Sequence, residues 1–442
     1  LVINETLAIG YRSSVYSDTT QQWSGTGQVV ADTNSYAYLY VQGNSTLTIG
    51  EDLTLRGGVL RVHENSSGAT ELINNGTISA DISGRYINVY VDQFTNNGTV
   101  VATGGGTFTA VNAWSNAGTI RAETGSTVQL DGAGLSQTGG FEVDGGTFQL
   151  GTGAGDWTNE GTIDAVGGTL QLRGGTWANE GAVTTSGTTV RFYDTWSNDA
   201  ALGSISLTDS TVTLAGAFAT SSLDTFTSTG GPVTLSGTLD NTGDVLDLDA
   251  RFGRQLVMRN GRINGGTIIS AAGHALRYTD ATNRLDGVTL DVDVTPSGNY
   301  ADLYTRNGLV INETLAIGYR SSVYSENTQE WSGTGQVVAD TSSYAQLYVQ
   351  GNSTLTIGED LTLRGGVLRV YENSSGATEI INHGTISADI SGRYMNFYID
   401  RLTNHGTLEA VNGASMDVDR TWSNSGQVTV TGSTMTFGQA NL

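Results

Sequence analysis

The sequence WTNEGTIDAVGGTLQL at residues 157–172 contains the pattern that decides the fold. Two runs within it, Thr162–Ala165 and Thr169–Leu172, alternate polar and apolar residues, which is typical of short β-strands with one side-chain row facing inward. Glycines flank both runs, and they permit the positive φ angles that sharp turns between strands require. The stretch therefore predicts two short strands joined by tight turns.

The opening pattern, an apolar residue followed by x-Asn-x-Gly, recurs along the chain at nearly even spacing. It begins at Leu72, Phe94, Trp114, Trp157, Trp177 and Trp196, the last without the glycine, and a weaker version with Gln begins at Leu135. Consecutive positions in this series are separated by 22, 20, 21, 22, 20 and 19 residues. A period of about twenty residues is typical of one turn of a parallel β-solenoid. We therefore predict an all-β parallel β-helix of roughly 20–22 residues per coil, built as a single continuous rod.

Stacked coils predict two ladders of equivalent side chains about 4.8 Å apart. The first is an internal apolar ladder of Leu72, Phe94, Trp114, Leu135, Trp157, Trp177 and Trp196. The second is a hydrogen-bonded amide ladder at a turn, made by Asn74, Asn96, Asn116, Asn159, Asn179 and Asn198. Neutral ladders avoid the repulsion of stacked like charges, which fits a content of only 14% charged residues.

A much longer repeat is superimposed on the coils. Residues 1–100 and 309–408 align at a constant offset of 308 and differ at 15 positions. We therefore divide the chain into one long unit at 1–308, starting in mid-unit, and the start of the next near-identical unit at 309–442. We expect both to belong to the same solenoid within a larger protein.

Composition excludes several classes of protein. The 43 acidic and 20 basic residues give a net charge of −23, so nucleic acids and anionic lipid surfaces are poor partners. The chain has no cysteine for disulfides or thiolate metal sites, and it has no apolar run long enough to predict a membrane span. Calcium is the cation that an acidic surface rich in Asp and Asn would accept, although no calcium-loop motif occurs. We expect no cofactor.

Several segments resemble the repeats of a known group of proteins. Leu285–Leu290 (LDGVTL), Trp331–Gly335 (WSGTG), Asn352–Gly358 (NSTLTIG) and Ile381–Ile386 (INHGTI) resemble successive β-strand repeats of giant bacterial surface proteins, akin to filamentous-haemagglutinin-like and autotransporter passenger proteins. The resemblance implies a right-handed β-helix that is secreted and lies at the cell surface.

Carboxylate pairs are the candidates for catalysis, because glycoside hydrolysis uses two of them. Asp247 and Asp249 with Arg251, or Asp291 and Asp293 after Asp286, have an i, i+2 spacing that would place both carboxylates on one strand face. Such pairs on an outward strand face are more often plain solvated surface. We predict no catalytic residue and no enzyme.

Two histidines are candidates for metal binding. His383 and His405 are 22 residues apart, which predicts that they stack on neighbouring coils. The first copy has Asn75 and Asn97 at these places, an exchange that indicates a tolerant turn position. We predict no metal site there.

The sequence thus favours a structural protein of an extracellular or cell-surface fibre, whose units continue or associate with one another head to tail or laterally. The alternative is a cell-surface adhesin in which outward aromatic residues such as Tyr36, Tyr38 and Tyr40 bind a polysaccharide. A β-helix polysaccharide lyase or hydrolase ranks third. A deep groove with convergent carboxylates would favour the enzyme, and an exposed aromatic stripe would favour the adhesin.

Overall fold

A computed structural model describes residues 1–151, 153 and 155–438. The chain forms two compact units, Leu1–Pro232 and Val233–Leu442. The sequence boundary between residues 308 and 309 lies inside a strand of the second unit, Asp302–Ile311. The long sequence repeat and the compact units are therefore out of phase.

The first unit contains the following strands: β1 (Thr6–Ile9), β2 (Ser14–Ser17), β3 (Gln21–Trp23), β4 (Gln28–Val41), β5 (Thr46–Ile49), β6 (Thr54–Glu64), β7 (Glu71–Asn74), β8 (Thr77–Ala80), β9 (Tyr86–Val89), β10 (Gln93–Asn96), β11 (Thr99–Ala102), β12 (Thr107–Ala110), β13 (Ala113–Asn116), β14 (Thr119–Glu123), β15 (Thr127–Leu130), β16 (Gly134–Gln137), β17 (Gly140–Asp144), β18 (Thr147–Leu150), β19 (Trp157–Asn159), β20 (Thr162–Val166), β21 (Thr169–Leu172), β22 (Thr176–Asn179), β23 (Ala182–Ser186), β24 (Thr189–Phe192), β25 (Thr195–Asn198), β26 (Ser204–Thr208), β27 (Thr211–Leu214), β28 (Ala217–Ala219) and β29 (Phe226–Thr229). A 3-10 turn, Thr220–Leu223, lies between the last two.

The second unit contains β30 (Val233–Leu235), β31 (Thr238–Asp240), β32 (Val245–Asp247), β33 (Leu256–Met258), β34 (Arg262–Asn264), β35 (Thr267–Ile269), β36 (Leu276–Tyr278), β37 (Asn283–Asp291), β38 (Val294–Pro296), β39 (Asp302–Ile311), β40 (Thr314–Ile317), β41 (Ser322–Ser325), β42 (Gln329–Ser332), β43 (Gln336–Val349), β44 (Thr354–Ile357), β45 (Thr362–Glu372), β46 (Glu379–Asn382), β47 (Thr385–Ala388), β48 (Tyr394–Tyr398), β49 (Arg401–Asn404), β50 (Thr407–Val411), β51 (Ser415–Val418), β52 (Thr421–Asn424), β53 (Gln427–Thr431) and β54 (Thr434–Phe437). One short helix, α1 (Leu248–Phe252), follows β32.

The strands stack coil upon coil in parallel, three to a coil over much of the first unit. There each strand pairs with the third one after it: β7 with β10, β8 with β11 and β9 with β12. Phe94 is opposite Leu72 on one side and Trp114 on the other, which is the pairing that the spacing of the turn motif predicts. The prediction of an all-β parallel β-solenoid with this coil length is confirmed.

Alternation within each strand builds the core. In β12, Phe108 and Ala110 are buried while Thr107 and Thr109 face outward, and most other strands follow the same two-residue period. Burial of an aliphatic or aromatic side chain stabilises the fold by about 1.5–3 kcal/mol. The interior of each unit is therefore a narrow column of apolar side chains enclosed by short strands.

The Asn-x-Gly turn is tight because successive turns lie directly on one another. A Cβ atom added to Gly98 would lie 2.2 Å from the carbonyl oxygen of Gly76, one coil away. Gly118 stands in the same relation to Gly98, at 2.0 Å. Only glycine can occupy this position without separating the coils.

Two long strands occupy equivalent places in the two copies of the long repeat. β4 pairs with β6 through Gln28↔Thr54 and Tyr40↔His63, with a register shift between Ala31 and Tyr36. β43 and β45 repeat these pairings and the shift at the equivalent residues of the second copy. The differences between the copies therefore leave the register unchanged.

Candidate functional site

The predicted apolar ladder is built from inward side chains at equivalent places on successive coils. Trp157, Trp177 and Trp196 stack face to face, with ring centroids 5.2 and 5.7 Å apart. Leu72, Phe94 and Trp114 are also buried and lie opposite one another in register. These side chains fill the core of the first unit.

Leu135 does not belong to this ladder, and its prediction is wrong. It is 56% exposed, because the register shifts by one residue and places Gly134 opposite Trp114. A Cβ atom on Gly134 would lie 2.5 Å from Cβ of Trp157 and 2.7 Å from Cζ2 of Trp114. The two indoles occupy the space of the missing side chain, which leaves Leu135 outside.

The predicted asparagines form a chain of buried amide hydrogen bonds. Nδ2 of Asn74 donates to Oδ1 of Asn96, and Nδ2 of Asn96 donates to Oδ1 of Asn116, both at 2.7 Å. Asn159, Asn179 and Asn198 form a second run at the same distance. Gln137 continues the first run by accepting from Asn116 at 3.0 Å.

Each amide also holds its own turn. Nδ2 of Asn96 donates to the carbonyl oxygens of Gly98 and Thr119, both at 3.2 Å. The side chain therefore satisfies backbone acceptors on two coils while it pairs with the next amide. The run restarts at Asn159, whose buried Oδ1 has no hydrogen-bond partner, while Nε2 of Gln137 donates to the carbonyl oxygen of Gly139.

The most distinctive outward feature is a column of stacked tyrosines in the second unit, which we call the tyrosine ladder. It consists of Tyr304, Tyr324, Tyr348, Tyr371 and Tyr398, which occupy one register position on five successive coils. Their centroids are 4.4, 4.8, 5.6 and 5.1 Å apart, and neighbouring rings lie within 26° of parallel. All five are half-buried.

The first unit has the counterpart of this ladder with one substitution. Tyr16, Tyr40, His63 and Tyr90 occupy the equivalent positions, and His63 stacks on Tyr90 at 4.3 Å but is tilted against Tyr40 at 6.4 Å. Burial and the neighbouring Arg61 lower the pKa of His63. An imidazole with a lowered pKa therefore occupies the place of the phenol of Tyr371.

Burial makes several of the stacked phenols weaker acids. Burial is the main cause that raises the pKa of Tyr40, Tyr304, Tyr324 and Tyr348, and nearby tyrosines or acidic groups add to it. Amides beside the column support the hydroxyls: Gln346 donates to Tyr348 and Asn396 to Tyr398, at 2.9 and 2.8 Å. The ring faces within the column are covered by their neighbours, and the edges and hydroxyls remain outward.

Arginines and further tyrosines lie beside the ladder. The guanidinium of Arg369 lies 4.7 Å from the ring centroid of Tyr344 and donates to the hydroxyl of Tyr394 at 2.9 Å. Arg61 repeats both contacts in the first unit, with Tyr36 at 4.1 Å and Tyr86 at 3.0 Å. Each unit thus has an outward stripe of aromatic side chains, and the guanidinium of one arginine, Arg61 or Arg369, is held against it.

A polar groove recurs at residues offset by 308. In the first unit it measures about 600 Å³ and is lined by hydroxyl and amide side chains around an ion pair of 2.6 Å between Arg56 and Asp81. In the second unit it measures about 540 Å³ and contains Arg364 and Asp389. Carboxylates line both grooves, Glu5 and Asp81 in the first and Glu313, Asp389 and Glu409 in the second, and Asp81 and Asp389 are each paired with an arginine.

The carboxylates considered for catalysis are engaged in local structure. Asp247 caps α1 by accepting from the backbone N–H of Asp249, at 2.9 Å. Asp249 lies within α1, so the prediction that both carboxylates share a strand face is wrong there. Asp249 accepts from the backbone N–H of Ala272 and the hydroxyl of Ser270, both at 2.8 Å, and contacts Nδ1 of His274 at 2.6 Å.

In the second candidate set, Asp286 is held by several donors. Burial raises the pKa of Asp286, but hydrogen bonds from Arg306, Asn307 and Arg262 outweigh it, and the net shift is downward. Asp291 and Asp293 are exposed. Asp293 accepts from the backbone N–H of Thr314 at 3.1 Å.

The two histidines considered for metal binding stack as the spacing predicts. The ring centroids of His383 and His405 are 5.0 Å apart, and Nδ1 of His405 contacts the hydroxyl of Ser425 at 2.6 Å. Across residues 1–151, 153 and 155–438, no group of three or more His, Asp or Glu side chains is placed to hold a metal ion. None of the helices in this part of the chain has the length and apolar character needed to span a bilayer.

The tyrosine ladder was not found by sequence reasoning, although Tyr36, Tyr38 and Tyr40 were identified as outward. The intervals between successive members of the ladder are unequal, so a search at fixed period misses them. The chain matches no family model, and comparison with curated proteins and with solved structures found no significant match.

Proposed function

We propose that this chain is a structural segment of a fibre or stalk built from tandem solenoid units at the cell surface. One observation carries the proposal: side chains on both faces of the strands contact their equivalents on the neighbouring coils. Tryptophans and asparagines stack inside, and tyrosines stack outside, in register from coil to coil. Such an arrangement resists separation of the coils along the stacking direction.

The same proposal includes three further expectations: the protein is extracellular, the β-helix is right-handed, and the protein has no catalytic activity. The resemblance to giant bacterial surface proteins supports the first two. The carboxylates of Asp249 and Asp286 support the third, because each accepts hydrogen bonds from several donors about one coil away. A carboxylate so engaged is a poor general acid or base.

Electron microscopy of the native material, with and without calcium, tests this proposal. We expect continuous fibres or stalks whose axial repeat corresponds to a whole number of the long sequence units, and whose appearance does not depend on calcium. Isolated globular particles free in the medium would contradict it. Short rods tethered at one end with a ligand-dependent tip would favour the adhesin.

The outward aromatic stripe favours polysaccharide binding as a second function. The stacked rings expose edges and hydroxyls, whereas sugars pack best on open ring faces, so a glycan would have to bind through hydroxyls and the cation of Arg61 or Arg369. Glycan binding by the intact chain, compared with that of Arg61→Gln/Arg369→Gln, tests this. Equal glycan binding by the wild type and the variant, or no binding by either, would show that the stripe is not a glycan-binding site.

A further inference from the structure

The tyrosine ladder places five phenols in contact in a protein that has no cysteine. Parallel strands hold their Cα atoms about 4.8 Å apart, and the rings follow the same spacing. The two closest pairs, Tyr304–Tyr324 and Tyr324–Tyr348, are also nearly parallel, at 7° and 8°. Each of these residues lies on a different coil.

We propose that the tyrosine ladder is a site of oxidative cross-linking, in which phenols on neighbouring coils couple through a carbon–carbon bond and fasten the coils covalently. The modification needs a one-electron oxidant, such as a photo-oxidised metal complex or a peroxidase using hydrogen peroxide. This cross-linking proposal does not rest on the proposed extracellular location of the protein.

The chemistry balances as follows. Each of two neighbouring phenols loses one electron to the oxidant and one proton to water, which leaves two phenoxyl radicals. The radicals pair to form one bond between carbons ortho to the two oxygens. Each of these carbons then loses its hydrogen as a proton while the oxygen regains one, which restores two phenols. The net change is a loss of two electrons and two protons.

Geometry favours coupling within the ladder over coupling elsewhere. A radical on Tyr348 has phenols on both sides, with ring centroids at 4.8 and 5.6 Å. Fixed neighbours react at effective concentrations far above those of a second molecule in dilute solution. The exposed Tyr11 stacks on no other aromatic ring among the described residues.

The first unit supplies an internal control. His63 occupies the place of Tyr371, and an imidazole cannot join two phenols by this reaction. Because the chain contains arginine but no lysine, trypsin releases residues 370–393, which contain Tyr371 as their only tyrosine, and the equivalent residues 62–85, which contain none. The flanking phenols lie in residues 321–364 and 394–401.

The experiment exposes the intact chain at low concentration to tris(bipyridine)ruthenium, persulfate and visible light, followed by trypsin and mass spectrometry. We expect peptide 370–393 to be recovered joined to 321–364 or 394–401, lighter than their sum by two hydrogen atoms, with dityrosine fluorescence from monomeric protein. Peptide 62–85 is expected to remain unlinked.

Two variants sharpen the test. Tyr371→His, which gives the second copy the residue of the first, should abolish the links of peptide 370–393, whereas His63→Tyr should link peptide 62–85 to residues 13–56. Circular dichroism before oxidation checks that each variant is folded. Links distributed over exposed tyrosines that stack on no other ring, such as Tyr11, links only between molecules, or no effect of His63→Tyr would each overturn the proposal.

Discussion

A single glycine decides whether one coil follows the general pattern. The sequence at Leu135 keeps the apolar and Gly positions of the motif, but it has Gln137 in place of Asn and Gly134 before the apolar residue. The register shift arises because the indoles of Trp114 and Trp157 meet across Gly134, with centroids 6.5 Å apart. Packing between non-adjacent coils is invisible to a pattern search, which is why Leu135 was misplaced while the neighbouring ladder positions were identified.

This difference predicts unequal effects of two truncations. Trp177→Ala should lower the free energy of unfolding by about 3–5 kcal/mol, because it opens a cavity in a stacked core. Leu135→Ala should change it by about 0.5 kcal/mol or less, as is usual for exposed positions. Urea unfolding followed by circular dichroism measures both. Similar losses for the two variants would show that Leu135 packs in the core after all.

Gly134→Ala provides a further test at the same coil. The added methyl group would meet Trp157 and Trp114 at 2.5 and 2.7 Å, so the indoles or the strand must move. Overpacking of this kind costs about 1–3 kcal/mol. The same replacement at Gly140 is the control, because φ is not positive there either and the nearest atom to an added Cβ lies 3.5 Å away. A loss at Gly134 no larger than that at Gly140 would argue against the clash.

The amide ladder makes a second prediction for single residues. Asn96→Ala removes donors to Asn116, Gly98 and Thr119 and leaves buried acceptors unpaired, which should cost about 1–3 kcal/mol for each buried group left unsatisfied. Asn97→His is the control, because Asn97 is exposed and its counterpart is His405. The thermal midpoint should fall for the first variant and stay near that of the wild type for the second.

At the level of the strand and coil, the sequence predicted the elements well where the period is regular. The spacing of Asn-x-Gly turns corresponds to the observed registers of β7, β10 and β13. β4 has extra residues between Ala31 and Tyr36, where the register shifts, and no turn motif marks them, so the period gave no prediction of the pairing with β6. The tyrosine ladder lies across such coils in the second unit, and its alignment depends on those extra residues.

The ladder predicts a loss of stability in alkaline solution. Because burial raises the pKa of Tyr304, Tyr324 and Tyr348 above that of tyrosine in the unfolded chain, the unfolded state releases these protons first. The contribution of these phenols to the free energy of unfolding is therefore fully present below about pH 10. It is lost as the pH rises through their folded-state pKa values. Unfolding midpoints measured across this range, together with phenolate absorbance, test the sign. In Tyr348→Phe the alkaline slope should be shallower, and an unchanged slope would exclude this residue as a contributor.

Over the chain as a whole, the acidic side chains lie at the surface, whereas the stacked ladders are built from neutral side chains. The net charge of −23 is carried by side chains that face outward or pair locally, and the stacked columns consist of indoles, amides and phenols. Charge repulsion therefore opposes folding only weakly, through solvent, and salt should relieve it. The fold needs no bound cation to neutralise a ladder.

We accordingly expect removal of divalent cations to leave stability unchanged. The thermal midpoint in EDTA should equal that in buffer, and calcium at millimolar concentration should act no differently from a sodium salt of equal ionic strength. Differential scanning calorimetry measures both. A calcium-specific rise in the midpoint would indicate a site of oxygen ligands whose geometry forms only with the ion.

The identical registers of β4 with β6 and of β43 with β45 have a consequence for inheritance. A recombination event that joined residue 41 directly to residue 350 would delete one complete long unit from the gene product. The hybrid strand would meet the next strand with the pairings that β4 and β43 already make. The reciprocal event would insert one such unit in the same manner. The length of the protein can thus change between generations by whole long units, while the strands at the junction keep pairings that already exist in the chain.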